Sequence, residues 1–377
     1  MSDAHRAPGA AGVVLVVDQQ LPSPDQDSGS VRMSRMIEEL VRLGRQVIVF
    51  PLDGHTDAPY ATRLKELGVA VLGGRARQVR FLSEQGHRIG LALLCRPQPA
   101  IQLLGEIRDA VPHCTVVYDT VDLHFRRLGR AADLAEREGR TDRFALRAQA
   151  ESTRALELFL ARTCDVTLVV SGEERAALRA LVPEADVRVL SNIHVPVADG
   201  APGTAAGSRV LFVGHYLHEP NVDAAQWLAR DIMPLVRREI PEAELDLVGG
   251  AAPESVLSLA GDGVTVHGWV EDLSPLYAAA RVAVAPLRYG AGVKGKVGEA
   301  LEHGRPVAGT SLAFEGMGLR HDAQVLIGDT AQELAAQIVR LMGDDALCER
   351  LVRSALPHLT AEFGPARARG TLLGLLA

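Results

Sequence analysis

"RVAVAPLRYGAGVKGKVGEALEHGRPVAG", Arg281–Gly309, is the stretch on which the reading of this chain turns. Its opening, "RVAVAPL", reads as a buried strand, because a short apolar run bounded by turn residues fits a strand covered on both faces. After Gly292 the pattern becomes helical. Val293, Val297, Ala300, Leu301 and Gly304 recur at i, i+4, i+7, i+8 and i+11 and form a core-facing stripe. At about 100° per residue, Lys296, Glu299 and His303 then share one flank, while Lys294 falls on the other, one turn nearer the mouth. An open α/β sheet binds its ligand where a strand hands over to a helix N-terminus. A phosphate placed there meets free backbone N–H groups, the positive end of the helix dipole and at least one ammonium. Glycines at 290, 292 and 295 let the backbone approach closely. Glu299, one turn deeper, can accept hydrogen bonds from a sugar diol. The plainer alternative is a surface Lys296–Glu299 pair beside an ordinary loop.

Outward from this stretch the same alternation continues. "GVVLVV", "QVIVF", "VAVL", "GLALL", "CTVVY", "VTLVV" and "VRVL" read as strands with helical patterns between most of them. "VPVADGAPGTAAGS" then breaks the periodicity and reads as a linker. A second series follows: "RVLFVG", "ELDLVG", "VTVHGW", "RVAVAPL", "PVAG" and "QVLIG". Alternating strands and helices predict mostly parallel, doubly wound sheets. The expected organisation is a flexible tail (1–11), a first Rossmann-like domain (12–195), a linker (196–208) and a second Rossmann-like domain (209–355), with a cleft between the domains.

The 377 residues are 47% hydrophobic and 4% aromatic, with a net charge of −7, which suits helix-covered parallel sheets. No long basic run appears, so no nucleic-acid partner is expected. Arginine far outnumbers lysine, which makes the pair at 294 and 296 conspicuous. Cys95, Cys114, Cys164 and Cys348 lack metal-like or redox-like spacing and read as reduced thiols. No apolar stretch reaches the roughly 20 residues of a transmembrane helix. A cytoplasmic location is expected.

Four further clusters lie at strand ends. "FVGHYLHEPNVDAAQWL" puts Gly214 and His215 after a strand, with Asn221 as an expected N-cap. "VHGWVEDL" ends a strand near Trp269 and Val270, where a free backbone edge can pair with a nucleobase; Trp269 reads equally as a ring cover or a core residue. The long loop "DQQLPSPDQDSGSVRMSR" places Gly29 and Ser30 before a helix, and Arg32 and Arg35 in its first turns. "VVYDTVDLHFRR" offers Asp119, Asp122, His124, Arg126 and Arg127; Asp122 and His124 suit acid–base work or the holding of sugar hydroxyls. Each cluster also has a plain reading as caps, loops and solvated charge.

These motifs together resemble the group 1 (family 4) glycosyltransferases of the GT-B fold. The likeness runs through "DQQLPSPDQDSGSVRMSRMIEELVRLGRQVIVFP", "VVYDTVDLHFRR", "FVGHYLHEPNVDAAQWL" and "ELDLVGG", and is most specific from Gly268 to Gly316. The resemblance implies an acceptor-side first domain and a second domain that binds the nucleotide sugar. It also implies a C-terminal helical segment (356–377) crossing back to the first domain. The implied activity is metal-independent sugar transfer, with retention, from a nucleotide-diphosphate sugar to a small-molecule, glycan or lipid acceptor. Glu299 matches the ribose-binding glutamate and Glu315-Gly316 a turn near the donor sugar. The implied donor site comprises Gly214, His215, Val270, Arg288, Gly292, Lys294, Lys296, Glu299, Glu315 and Gly316, with no cofactor beyond the donor and no metal. Asp122 and His124 are the implied catalytic pair, and Gly29, Ser30 and Arg32 the acceptor-side loop.

Three departures stand out. Ala291 occupies the place of the family's first glutamate. The loop "HYLHEPN" lacks the usual Arg and Lys for the diphosphate. Val121 precedes Asp122 where a histidine is common. Lys296, with Arg288 and Lys294 as candidates beside it, is expected to supply the missing charge. Two other readings stay open: a nucleotide-sugar epimerase on the same fold, and a non-catalytic sugar-nucleotide-binding subunit.

Overall fold

The computed structural model describes residues 12–197 and 207–377. The tail expected at 1–11, and residues 198–206 of the expected linker, lie outside the described residues. Strands β1 (Val13–Asp18), β2 (Val47–Pro51), β3 (Ala70–Val71), β4 (Ile89–Cys95), β5 (Thr115–Asp119), β6 (Val166–Val169) and β7 (Val187–Val189) form one sheet in the order β3-β2-β1-β4-β5-β6-β7. Strands β8 (Arg209–Val213), β9 (Glu244–Val248), β10 (Val264–Gly268), β11 (Val282–Ala285), β12 (Val307–Gly309) and β13 (Leu326–Ile327) form the second, in the order β10-β9-β8-β11-β12-β13. Every ladder in both sheets is parallel.

Parallel pairing requires a crossover at each step, and the helices between strands cover both faces. β1 shows the consequence. All six residues are buried; Val14 and Val16 enter one hydrophobic cluster, and Val13, Leu15 and Val17 the other. In β8, Val210 and Phe212 face one cluster and Leu211 the opposite one.

Strand order reverses between β1 and β4 in the first sheet and between β8 and β11 in the second. At such a point two neighbouring crossovers leave in opposite directions and open a crevice at the strand C-termini. The loop after β8 carries Gly214 and His215, and the segment after β11 carries Arg288 to Lys294. Both sides of the candidate site therefore lie at one reversal.

The helix expected after Gly292 runs from Gly295 to Glu302, with Lys294 as N-cap residue. The start is later because Lys294 is still extended (φ −85°, ψ 103°) and its ammonium turns back to the Gly292 carbonyl. The C-terminal segment also differs from the expected boundary at 356. One helix continues from Asp345 to Phe363, and a second runs from Pro365 to Leu376. The crossing is at Gly364. Before it, Leu351, Ala355 and Leu359 pack into the second domain; after it, Ala368 and Leu372 enter the first domain's core. Arg369 Nε donates to Glu39, and Thr371 Oγ1 to the Val189 carbonyl. None of the described helices is long and apolar enough to cross a membrane.

Candidate active site

The two sheets face each other across a cleft of about 800 Å³ whose walls come from both domains. On the second-domain side, Gly214 ends β8. A Cβ there would stand 2.8 Å from Asn221 Cγ, so the bare residue lets Asn221 lie across the strand end. Asn221 is not the N-cap. His218 caps the helix Glu219–Trp227, and Asn221, inside its first turn, donates through Nδ2 to the His215 carbonyl at 2.7 Å. Its Oδ1 accepts from Lys296 Nζ at 2.5 Å. The Lys296 ammonium also lies 4.3 Å from the Phe212 ring centroid. Burial pulls the Lys296 pKa down to about 7, against the opposing influence of Glu299.

Glu299 lies one turn deeper and accepts from the Tyr277 hydroxyl at 3.1 Å. Burial raises its carboxyl to about 7 despite that hydrogen bond. Tyr277 is fixed in turn by stacking on His303, 4.5 Å between centroids. The flank read from periodicity, Lys296, Glu299 and His303, is thus a physical surface. Lys294 folds back on the Gly292 carbonyl, and burial lowers its pKa to about 8.

Arg288 does not share the mouth. Its guanidinium pairs with Asp223 and with Glu138, 2.7 Å from the latter, so its charge is already matched by two carboxylates. Glu315 is engaged by first-domain arginines: Arg126 at 3.2 Å and Arg130 at 2.6 Å. Its carboxyl would be raised by burial, but Arg130 above all holds it below the ordinary value. Gly316, at φ 79°, packs against Ser171. Val270 lines the cleft, and Trp269, 47% exposed, is no core residue. Its indole N–H donates to the Asp25 carbonyl of the first domain at 3.1 Å.

On the first-domain side, Asp122 and His124 meet at 3.0 Å, Oδ1 to Nε2. Burial would raise the Asp122 carboxyl, but Arg127, 2.9 Å away, and His124 hold it far below the usual range. It is therefore an anion across the working pH range. The turn that presents it is strained: Val121 sits at φ 63°, a rare conformation for a β-branched side chain. Buried Glu157 accepts from the backbone N–H groups of His124 (3.1 Å) and Phe125 (2.8 Å), fixing the start of the helix His124–Arg137.

The acceptor-side loop is only partly where the sequence put it. Asp27 caps the helix Ser28–Arg42, so Gly29 and Ser30 lie inside its first turn, not before it. Gly29 lines the cleft, but Ser30 turns inward and donates to Asp27 Oδ2 at 2.7 Å. Arg32 is 1% exposed and grips Asp119 through two hydrogen bonds of 2.7 and 2.9 Å. A buried guanidinium needs a carboxylate, so Arg32 serves the fold and is not available to an acceptor.

The second domain's glycines have a further role that periodicity cannot show. A Cβ at Gly292 would stand 2.9 Å from Asp122 Cβ, at Gly295 2.2 Å from Ser28 Cβ, and at Gly298 2.1 Å from His194 Nε2. They let first-domain side chains rest directly on the second-domain backbone. Sequence reading missed His194, Tyr277, Asp223 and Glu174. Ser171-Gly172-Glu173-Glu174 does carry a helix-start signature, but such a signature is local and says nothing of a cleft.

Residues 207–344 match the family model described as Glycosyl transferases group 1. A structure of sucrose-phosphate synthase from Thermosynechococcus elongatus superposes with a TM-score of 0.71 at 18% identity, covering 97% of this chain and 98% of that one. The second domain thus matches the group 1 glycosyltransferases, and the chain as a whole has the GT-B fold. A structure of Anabaena HepE, solved with UDP and glucose, shares the same fold: TM-score 0.69, 15% identity, 97% and 99% covered. A Klebsiella pneumoniae sequence described as an uncharacterized 44.6 kDa protein in the cps region is 27% identical over 140 residues. That match spans 35% of this chain, and about a third (36%) of the relative.

Proposed function

We propose that this protein moves a sugar from a nucleotide-diphosphate sugar to an acceptor hydroxyl, with retention of anomeric configuration, without a metal ion and in the cytoplasm. The observation that carries the reading is one helix flank: Lys296 and Glu299, one turn apart at the β8/β11 reversal, on the floor of a cleft whose opposite wall holds Asp122 and His124. The diphosphate lies at the N-terminus of Gly295–Glu302, where backbone N–H groups, Lys296 and Lys294 offset its charge. Glu299 takes the ribose hydroxyls and the backbone at Val270 the base edge. As the acceptor attacks the anomeric carbon, charge grows on the leaving diphosphate, and a fixed ammonium there lowers the barrier. Asp122, held ionised by Arg127 and His124, cannot donate a proton; it orients the acceptor or faces the positive charge that develops on the sugar. HepE, described in complex with UDP-glucose, makes that compound the first donor to try. The test is a screen of UDP, GDP, dTDP and ADP sugars for nucleotide release. Release with an acceptor supports transfer, whereas tight nucleotide binding with no release from any donor supports the non-catalytic binding subunit instead.

A further inference from the structure

We propose that Glu174 is a positioning residue that holds the Asp122 turn of the first domain in register with the Gly292 loop of the second. Its side chain is 2% exposed, and three backbone N–H groups from separate segments donate to it. Oε1 accepts from Leu123, the residue after Asp122, at 3.1 Å, and also from Gly292 of the opposite domain at 3.1 Å. Oε2 accepts from Val170 at 3.3 Å. One oxygen thus bridges the two walls of the cleft.

Local needs do not explain this arrangement. Glu174 lies at the third position of the helix Gly172–Leu181, whose N-cap, Ser171, satisfies the Glu174 N–H at 3.1 Å. A glutamate at this position ordinarily turns back to the N-cap N–H. Here the carboxylate extends to Leu123 and Gly292. The partner loop is shaped to receive it: Gly292 sits at φ 69°, and any side chain there would meet Asp122. Bare backbone therefore brings the Gly292 N–H and the Asp122 side chain together. Two further bonds run across the same seam, from Arg130 Nη1 to the Gly290 carbonyl (2.7 Å) and from Asn192 Nδ2 to the Val293 carbonyl (3.1 Å). Glu174 differs from both because the oxygen that holds the donor loop also holds the turn carrying Asp122. That single atom therefore ties the Asp122 turn to the loop that leads into the helix of Lys296.

The geometry stands by itself; its catalytic consequence rests on the function proposed above. Glu174→Leu keeps most of the volume but removes both acceptor oxygens, so neither Leu123 nor Gly292 retains its partner. In the full-length protein without ligand, amide hydrogen exchange at Leu123 and Gly292 is expected to speed up about tenfold or more, the scale of a lost hydrogen bond to a charged group. Exchange in β8 and β11 stays as in the wild type. With UDP-glucose, kcat falls about 10- to 100-fold, as misplacement of about 1 Å does elsewhere, while UDP affinity changes less than about threefold. Unchanged exchange at Gly292 in a folded Glu174→Leu protein overturns the proposal. So does an equal loss of kcat and UDP affinity. If Glu174→Leu does not fold, Glu174→Asp decides: its carboxylate is one methylene shorter, so faster exchange at Leu123 and Gly292 together supports the bridge and unchanged exchange at both overturns it. Wild-type protein that neither binds UDP nor turns over any donor defeats the functional reading, and the exchange experiment still judges Glu174.

Discussion

Lys296 Nζ donates to Asn221 Oδ1 at 2.5 Å, and Asn221 closes the segment "HYLHEPN", the loop without Arg or Lys. The cation missing from that loop's own sequence is thus delivered to it from the neighbouring crossover, across the β8/β11 reversal. Lys296→Ala is expected to lower turnover by on the order of 10²–10³, comparable to removing one oxyanion donor. Arg288→Ala should stay within about threefold of wild type, because its guanidinium already serves Asp223 and Glu138. Steady-state kinetics on variants checked by thermal melt decide between them; a collapse in Arg288→Ala alone would identify Arg288 as the cation.

Nucleotide affinity should weaken above neutral pH. Lys296 at about 7 and Lys294 at about 8 lose charge as pH rises, and Glu299 at about 7 gains a negative one. Every one of these changes opposes an anion. One linked proton gives about a tenfold loss in affinity per pH unit above 7. Calorimetry of UDP binding in buffers of different ionisation enthalpy should register proton uptake near pH 7.5. A heat independent of buffer would contradict the assignment.

Glu299→Gln should stabilise the fold at alkaline pH while weakening nucleotide binding. The Glu299 pKa is raised from 4.5 to about 7 on folding, so its favourable protonated form is lost as pH climbs through that interval. Above it, the buried carboxylate destabilises the protein by on the order of 1–3 kcal/mol. Glutamine keeps an acceptor for Tyr277 without the charge. The variant's gain in denaturation midpoint should therefore be small at pH 5 and largest near pH 8; a gain independent of pH would contradict the cause given.

Gly298→Ala should destabilise the protein although alanine is the better helix former by about 1 kcal/mol. Its Cβ would stand 2.1 Å from the buried His194 Nε2, whose ring is also held through Nδ1 by Glu302 at 3.0 Å. An overpacked contact of this kind costs about 1–3 kcal/mol. His194→Ala should relieve it, so the double variant should be more stable than the two single effects add to. Additive urea midpoints would show that the two residues are not coupled.

Asp122→Asn is expected to reduce kcat about 10²-fold with UDP affinity unchanged. The carboxylate faces the cleft from the domain opposite Lys296 and Glu299. Weak UDP binding with normal turnover would place Asp122 on the nucleotide instead.

The repeating units are legible in side-chain spacing alone. Short, β-branched apolar runs such as "VVLVV" and "VAVA", bounded by turn residues, fit strands buried on both faces, and the 3.6-residue period of Val297, Ala300 and Leu301 placed Lys296 and Glu299 on one flank. These are local facts, set by side-chain spacing along one element. Which charges are free was decided by tertiary structure. Arg288 and Lys296 are both basic residues at one strand-to-helix junction, yet Arg288 meets Asp223 and Glu138 while Lys296 meets a neutral amide. Arg32 read as a loop cation and is buried on Asp119, 87 positions along the chain. The glycines at 290, 292 and 295 read as room for a phosphate, yet those at 292 and 295 also admit Asp122 and Ser28, as Gly298 admits His194. The physical reason is common to all of these. Spacing along one helix or strand fixes direction, but the partner of a charge or of a bare backbone is fixed by contacts between distant segments. In this protein those contacts form where two separately wound sheets close on each other.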